Sequence, residues 1–100
     1  MNDVFKALAD PTRREILRLL RAEPMSAGSL AERFPQSRST LSAHFAVLKH
    51  ANLIQADRQG QTIFYSLNLS VFEQTVAALL AVLGEPAPAA VREQTEGLES

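Results

Sequence analysis

Apolar residues recur along this chain at helical spacing in five stretches and crowd into two short β-rich runs, and these patterns set the expected elements. Val4, Phe5 and Leu8 share one face of a first helix over residues 3–9, with Asn2 suited to cap it. Asp10-Pro11 restarts the helix: Asp10 caps, and Pro11 takes the first position, where a missing N–H is harmless. This second helix, 11–22, has Ile16, Leu17, Leu19 and Leu20 apolar and Arg13, Arg14, Arg18 and Arg21 polar, and stops at Glu23-Pro24. Ser26 caps a short third helix, 27–34, with Leu30 and Phe34 inward, and Pro35 ends it in a turn over 34–36. Ser37 caps a fourth helix to His50, whose stripe is Leu41, Phe45 and Leu48. Asn52, a residue that tolerates the left-handed conformation, terminates it.

Two strands follow, 53–58 and 62–67, joined by a polar turn at Gln59-Gly60-Gln61. Asn68 or Ser70 caps a last helix, 71–83, in which Phe72, Val76, Leu79, Leu80 and Leu83 spread over much of the circumference. Gly84 closes it. A short helix, a brief turn and a helix with a polar front make a helix-turn-helix. With the hairpin, the expected fold is mainly α with a small β-hairpin, a winged helix-turn-helix of order α-α-α-α-β-β-α. Residues 1–84 are expected as one domain, and 85–100 as an acidic, flexible tail with a helical turn near 91–94.

The fourth helix has an unusual outer surface. Ser37, Arg38, Ser39, Thr40, Ser42, Ala43 and His44 are short polar, basic or small, and no acid stands among them. A solvated helix face generally carries Glu and Lys pairs. Short hydroxyls and Arg let a helix seat deep in the major groove, where long side chains would hold it off the bases. Arg38 suits guanine O6 and N7; Ser39, Thr40 and Ser42 suit bases or phosphates; Ala43 suits a thymine methyl. The helix-start N–H groups of Gln36 and Ser37 suit a phosphate. His44 lies about 60° off the apolar stripe by the roughly 100° helical step, so a packed boundary position fits it as well as a DNA contact. In the hairpin tip, Arg58, Gln59, Gly60 and Gln61 suit the minor groove or a phosphate clamp. The bland reading of both surfaces is an ordinary capped helix and a polar turn. Arg13, Arg14, Arg18 and Arg21 read as a solvated face with local pairs such as Glu15.

Charge sharpens the picture. The chain is at −1 overall, but residues 1–84 hold nine Lys/Arg against seven Asp/Glu, and 85–100 hold four Glu against Arg92. Between residues 33 and 58, Arg33, Arg38, Lys49 and Arg58 face Asp57 alone. The field around the candidate helix is therefore positive. There is no cysteine, which excludes disulfides, thiolate metal sites and a cysteine nucleophile, and fits a cytoplasmic location. The start of the chain has no signal-peptide pattern, and no run approaches the roughly 20 apolar residues of a membrane span. His44 and His50, six apart on one helix, make no metal motif, and His50 fits a dipole-complementing position at the helix end. Scattered acids and no Gly-rich loop leave no catalytic constellation, so neither an enzyme nor a cofactor is expected.

At this point FKALADPTRREILRLL, SAGSLAERF, SRSTLSAHFAVLKHANLI and RQGQTIFYSL resemble the ArsR-type bacterial repressors, and most closely their SdpR-like autorepressor branch. The resemblance spans roughly residues 2–84. It implies a homodimer, joined through the first and last helices, that binds an inverted repeat of double-stranded DNA in a promoter and represses transcription. The interface residues it implies are Val4, Phe5, Leu8, Phe72, Val76, Leu79, Leu80 and Leu83, in keeping with their surplus apolar surface. It also implies, for induction, capture by a membrane-protein anti-repressor. Three departures stand out. Metal-sensing members carry a cysteine pair in the short third helix, where residues 27–33 have none. Others use His and Asp on the last helix, where residues 71–83 offer only Glu73. Ala43 replaces the Lys or His of many relatives. DNA binding carries over; metal sensing does not. The rival readings are a winged-helix protein-interaction module and a sensor gated by a non-metal effector.

Overall fold

The computed structural model describes residues 2–85. Their order is α1 (Asn2–Leu8), α2 (Pro11–Ala22), β1 (Met25–Ser26), α3 (Ala27–Ala31), α4 (Arg38–His50), β2 (Ile54–Gln59), β3 (Thr62–Leu67) and α5 (Leu69–Val82). They fall into two units that divide between Leu67 and Asn68, inside the expected 1–84 domain. Past Glu85, the expected tail and its helical turn lie outside the described residues.

The first unit is a winged helix-turn-helix. Ile16, Leu30, Leu41, Leu48 and Leu53 are fully buried, so α2, α3, α4 and the start of the wing share one core. Val4, Ala7, Leu17, Leu20, Phe45, Ala51, Ile54 and Tyr65 complete it. Phe45 of α4 stacks on Tyr65 of β3, ring centres 4.7 Å apart at a 35° tilt, which ties the helix to the middle of the sheet. Val4 belongs to this core and not to a free apolar face, which corrects its expected interface role; Phe5 beside it stays 43% exposed.

Local chemistry sets the helix ends. Asp10 accepts the Arg13 N–H at 3.0 Å, Ser26 that of Ser29 at 3.0 Å, and Ser37 that of Thr40 at 3.2 Å. Asn52, at φ 60, closes α4 in a Schellman motif: its N–H donates to Lys49 O at 2.9 Å, and Leu53 N–H to Leu48 O at 3.1 Å. Leu48 and Leu53, the apolar pair such a motif brings together, are both fully buried.

Several details differ from expectation. The sheet has a third strand, in order β1-β3-β2, with Met25 opposite Tyr65 and Ser26 opposite Phe64. Two residues after a proline carry no period, so sequence patterning could not reveal β1. The third helix ends at Ala31, where Arg33 and Phe34 donate to carbonyls three residues back, Leu30 and Ala31; Pro35 denies Phe34 a helical backbone. The turn before α4 is accordingly longer than the three residues expected. α1 begins at Asn2 itself, which is helical and not a flanking cap.

The second unit is α5. Asn68 stands at its cap position without a side-chain hydrogen bond, and the helix starts two residues earlier than expected. Its end repeats the α4 device with glycine: Gly84, at φ 76, donates to Ala81 O, and Glu85 to Leu80 O, each at 3.0 Å. Leu69, Phe72, Val76, Leu79 and Leu83 recur at alternating spacings of three and four, one apolar seam. Of these, Leu69, Val76, Leu79 and Leu83 are exposed, Leu83 by 74%. Among the described residues, no helix is long and apolar enough to cross a membrane.

Candidate nucleic-acid interface

The buried stripe Leu41, Phe45 and Leu48 fixes which side of α4 faces out. Ser37, Arg38, Ser39, Thr40, Ser42, Ala43 and Ala46 are all exposed on that side. The helix opens with no acid in its first turn, and Lys49 places positive charge near its last. Ser37 Oγ also donates to Thr40 Oγ1 at 3.0 Å and lies 3.2 Å from Ser39 Oγ, so three hydroxyls form a polar cluster at the helix start. Arg38 borders a shallow recess with Ala27 and Ala31 of α3 and Ser42 of its own helix. Among the described residues it has no acidic partner, so its guanidinium is unspent.

The wing supplies a second projecting element. Residues 55–62 are exposed throughout, and Gln59 pairs with Thr62 across a two-residue turn. Gly60, first in that turn, has φ 64, a conformation glycine adopts without a Cβ penalty. Arg58 pairs with Ile63 in the ladder and, among the described residues, has no acidic partner; the nearby Asp57 carboxylate accepts from Gln59 Nε2 at 3.1 Å.

One expected contact residue sits elsewhere, and another uses its side chain inward. His44 is turned toward α2, its side chain 16% exposed, with Nδ1 3.1 Å from Arg13 Nη1 and Nε2 3.9 Å from Asp10 Oδ2. It is a packed boundary residue, and the reading set loses it. Gln36 directs its side chain inward: Nε2 donates to Thr12 Oγ1 at 2.8 Å, and Oε1 is buried. Only its backbone N–H stays a phosphate candidate.

The arginines of α2 divide. Arg18 pairs with Glu15, as the sequence suggested. Arg13 does not face solvent: Nε donates to Ala7 O at 2.8 Å and Nη2 to Lys6 O at 2.9 Å. Arg14 caps the same helix end through Leu8 O at 2.8 Å. These arginines donate to the last carbonyls of α1, those of Lys6, Ala7 and Leu8. Nothing in the periodicity of α2 distinguishes them from the solvated Arg18 and Arg21. The Asp10 carboxyl is held below its usual value, first by the Arg13 N–H, with the Arg13 charge and the Thr12 N–H adding to it and burial opposing.

Comparisons with known proteins agree with this geometry. A helix-turn-helix domain family matches residues 8–55. The transcriptional repressor SdpR of Bacillus subtilis is 48% identical over 80 residues, covering 80% of this chain and 89% of that one. A solved ArsR family transcriptional regulator superposes with a TM-score of 0.74 at 31% identity, over 99% of this chain and 90% of its own. NolR from Sinorhizobium fredii gives 0.65 at 36% identity, over 84% of each chain. Sequence and fold together place the chain among DNA-binding regulators and not enzymes: it belongs to the ArsR family of winged helix-turn-helix transcriptional repressors, close to SdpR.

Proposed function

We propose that this chain represses transcription as a homodimer, each copy presenting α4 to one half of an inverted-repeat promoter operator. The observation that carries the reading is the acid-free, exposed front of α4, with an Arg38 that has no acidic partner among the described residues, mounted on a buried stripe that fixes its outward face. Arg38, Ser39, Ser42 and Ala43 read base edges, with Thr40 flanking them; Ser37 and the Gln36 backbone hold phosphate. Arg58, flanked by Gln59, Gly60 and Gln61, clamps the neighbouring backbone. Phe5, Leu8, Phe72, Val76, Leu79, Leu80 and Leu83 form the dimer interface. The exposed three-four seam of α5 supports this pairing, because apolar surface on that scale favours a partner. No metal is assigned a role, in line with the absence of cysteine, and a membrane-protein anti-repressor forms no part of the proposal.

A gel-shift titration on the protein's own promoter at two salt concentrations tests the core of this. A specific complex that weakens steeply as salt rises is expected. Failure to distinguish promoter from scrambled duplex at low salt would overturn it. Arg38→Ala should lower discrimination at one base pair by about 1–3 kcal/mol. Sedimentation equilibrium tests the assembly, and a monomer throughout the micromolar range would refute the dimer.

A further inference from the structure

The first turn of α2 grips α4 at two points that the DNA-reading surface does not include. The first is Thr12, whose hydroxyl accepts the Gln36 amide at 2.8 Å, one residue before the α4 cap. The second is Arg13, whose guanidinium reaches in two directions. Nε and Nη2 are locked on the carbonyls of Ala7 and Lys6 at the end of α1, while Nη1 meets Nδ1 of His44 in the second turn of α4. A guanidinium has only donors, so Nδ1 is the acceptor, and the His44 proton sits on Nε2, on the Asp10 side.

The apolar stripe cannot do this job alone. Burial of Leu41, Phe45 and Leu48 holds α4 against the core, but hydrophobic contact is non-directional and tolerates small rotations about the helix axis. Hydrogen bonds weaken steeply as they depart from linearity, and a planar guanidinium fixed at two other corners leaves its third donor little freedom. A rotation of about 5° would shift the tips of Arg38 and Ser42 by roughly half an ångström, enough to bend hydrogen bonds to a base edge away from linearity.

We propose that Arg13 is a positioning residue for sequence reading: it sets the rotation of α4 through His44, with Thr12–Gln36 as a second anchor, and does not itself touch DNA. The inference rests on the reading that α4 enters the major groove. It gives a role to an arginine that the sequence left on a solvated face, and to a histidine that stood beside the reading set.

The test measures binding by fluorescence anisotropy to two duplexes of equal length: one selected from random DNA by the wild-type protein, and a scrambled one. Wild type, Arg13→Gln, His44→Leu, the double variant and His44→Asn are compared at two salt concentrations, below each variant's melting temperature. Arg13→Gln and His44→Leu should lose tenfold or more on the selected duplex. Their affinity for the scrambled one, and their salt dependence, should match wild type. The double variant should be no worse than the weaker single variant. His44→Asn places an acceptor oxygen where Nδ1 stands, and should recover most of the loss. An equal loss on both duplexes with a flatter salt dependence would make Arg13 a phosphate contact and overturn the proposal. Unchanged discrimination with a lower melting temperature would reduce it to a stability role and also overturn it. A wild type that selects no sequence would sink the reading of α4 beneath it, a failure distinct from either.

Discussion

Asn52 ends α4 at φ 60, and its exposed side chain makes no hydrogen bond among the described residues. Its contribution is therefore a matter of backbone conformation alone. A left-handed residue with a Cβ carries a penalty of roughly 1–2 kcal/mol, of which Asn escapes a part. Asn52→Ala should thus lose about 1 kcal/mol, close to 4–8 °C of melting temperature in a domain of this size. Asn52→Val should lose more, because a β-branched side chain fits the left-handed region least. Asn52→Gly removes the penalty but frees the unfolded chain by about 0.4–1 kcal/mol, so it should stay within about 0.5 kcal/mol of wild type. Urea unfolding followed by circular dichroism measures all three, with an unchanged m-value as the sign that only stability moved. The expected order is Gly close to Asn, then Ala, then Val. Ala indistinguishable from Asn, or Gly falling as far as Ala, would refute the argument that conformation selects this residue.

Phe45→Ala should lose about 3–5 kcal/mol, since the ring is buried and packed on Tyr65; a loss below about 1.5 kcal/mol in urea unfolding would remove it from the core. A double-mutant cycle with Tyr65→Leu and Phe45→Leu should return a coupling of about 0.5–1.5 kcal/mol. The Asp10 carboxyl is lowered in the folded state, so its contribution is present above the ordinary value of 3.8 and fades as pH falls through the lowered one. Asp10→Asn keeps a capping oxygen and should narrow its stability gap to wild type in urea titrations as pH drops through that range; a gap that widens would reverse the sign of the argument. Arg58→Ala should weaken all duplexes alike and reduce the salt slope by about one, and an altered sequence preference would instead make the wing a reader.

The sequence alone was enough to reveal most of the helix-turn-helix, because its signals are local. Asp10-Pro11, Ser26 and Ser37 mark helix starts, Asn52 and Gly84 mark helix ends, and Leu41, Phe45 and Leu48 assign the inward face of α4 by period. Once that face is fixed, the exposure of Arg38, Ser39 and Ser42 follows without knowledge of any neighbour. Periodicity also exposed a surplus of apolar surface on the last helix, but it could not separate Val4, which the core consumes, from Phe5, which it leaves open. β1 was invisible because its two residues become a strand only when Tyr65 and Phe64 lie beside them. Only the tertiary structure decided the fates of Arg13, Gln36 and His44. Each makes its defining hydrogen bond with a partner on another element, up to 31 residues away between Arg13 and His44. A solvated arginine and a bridging one obey the same helical period, and only the carbonyls and the imidazole waiting within 3.1 Å distinguish them.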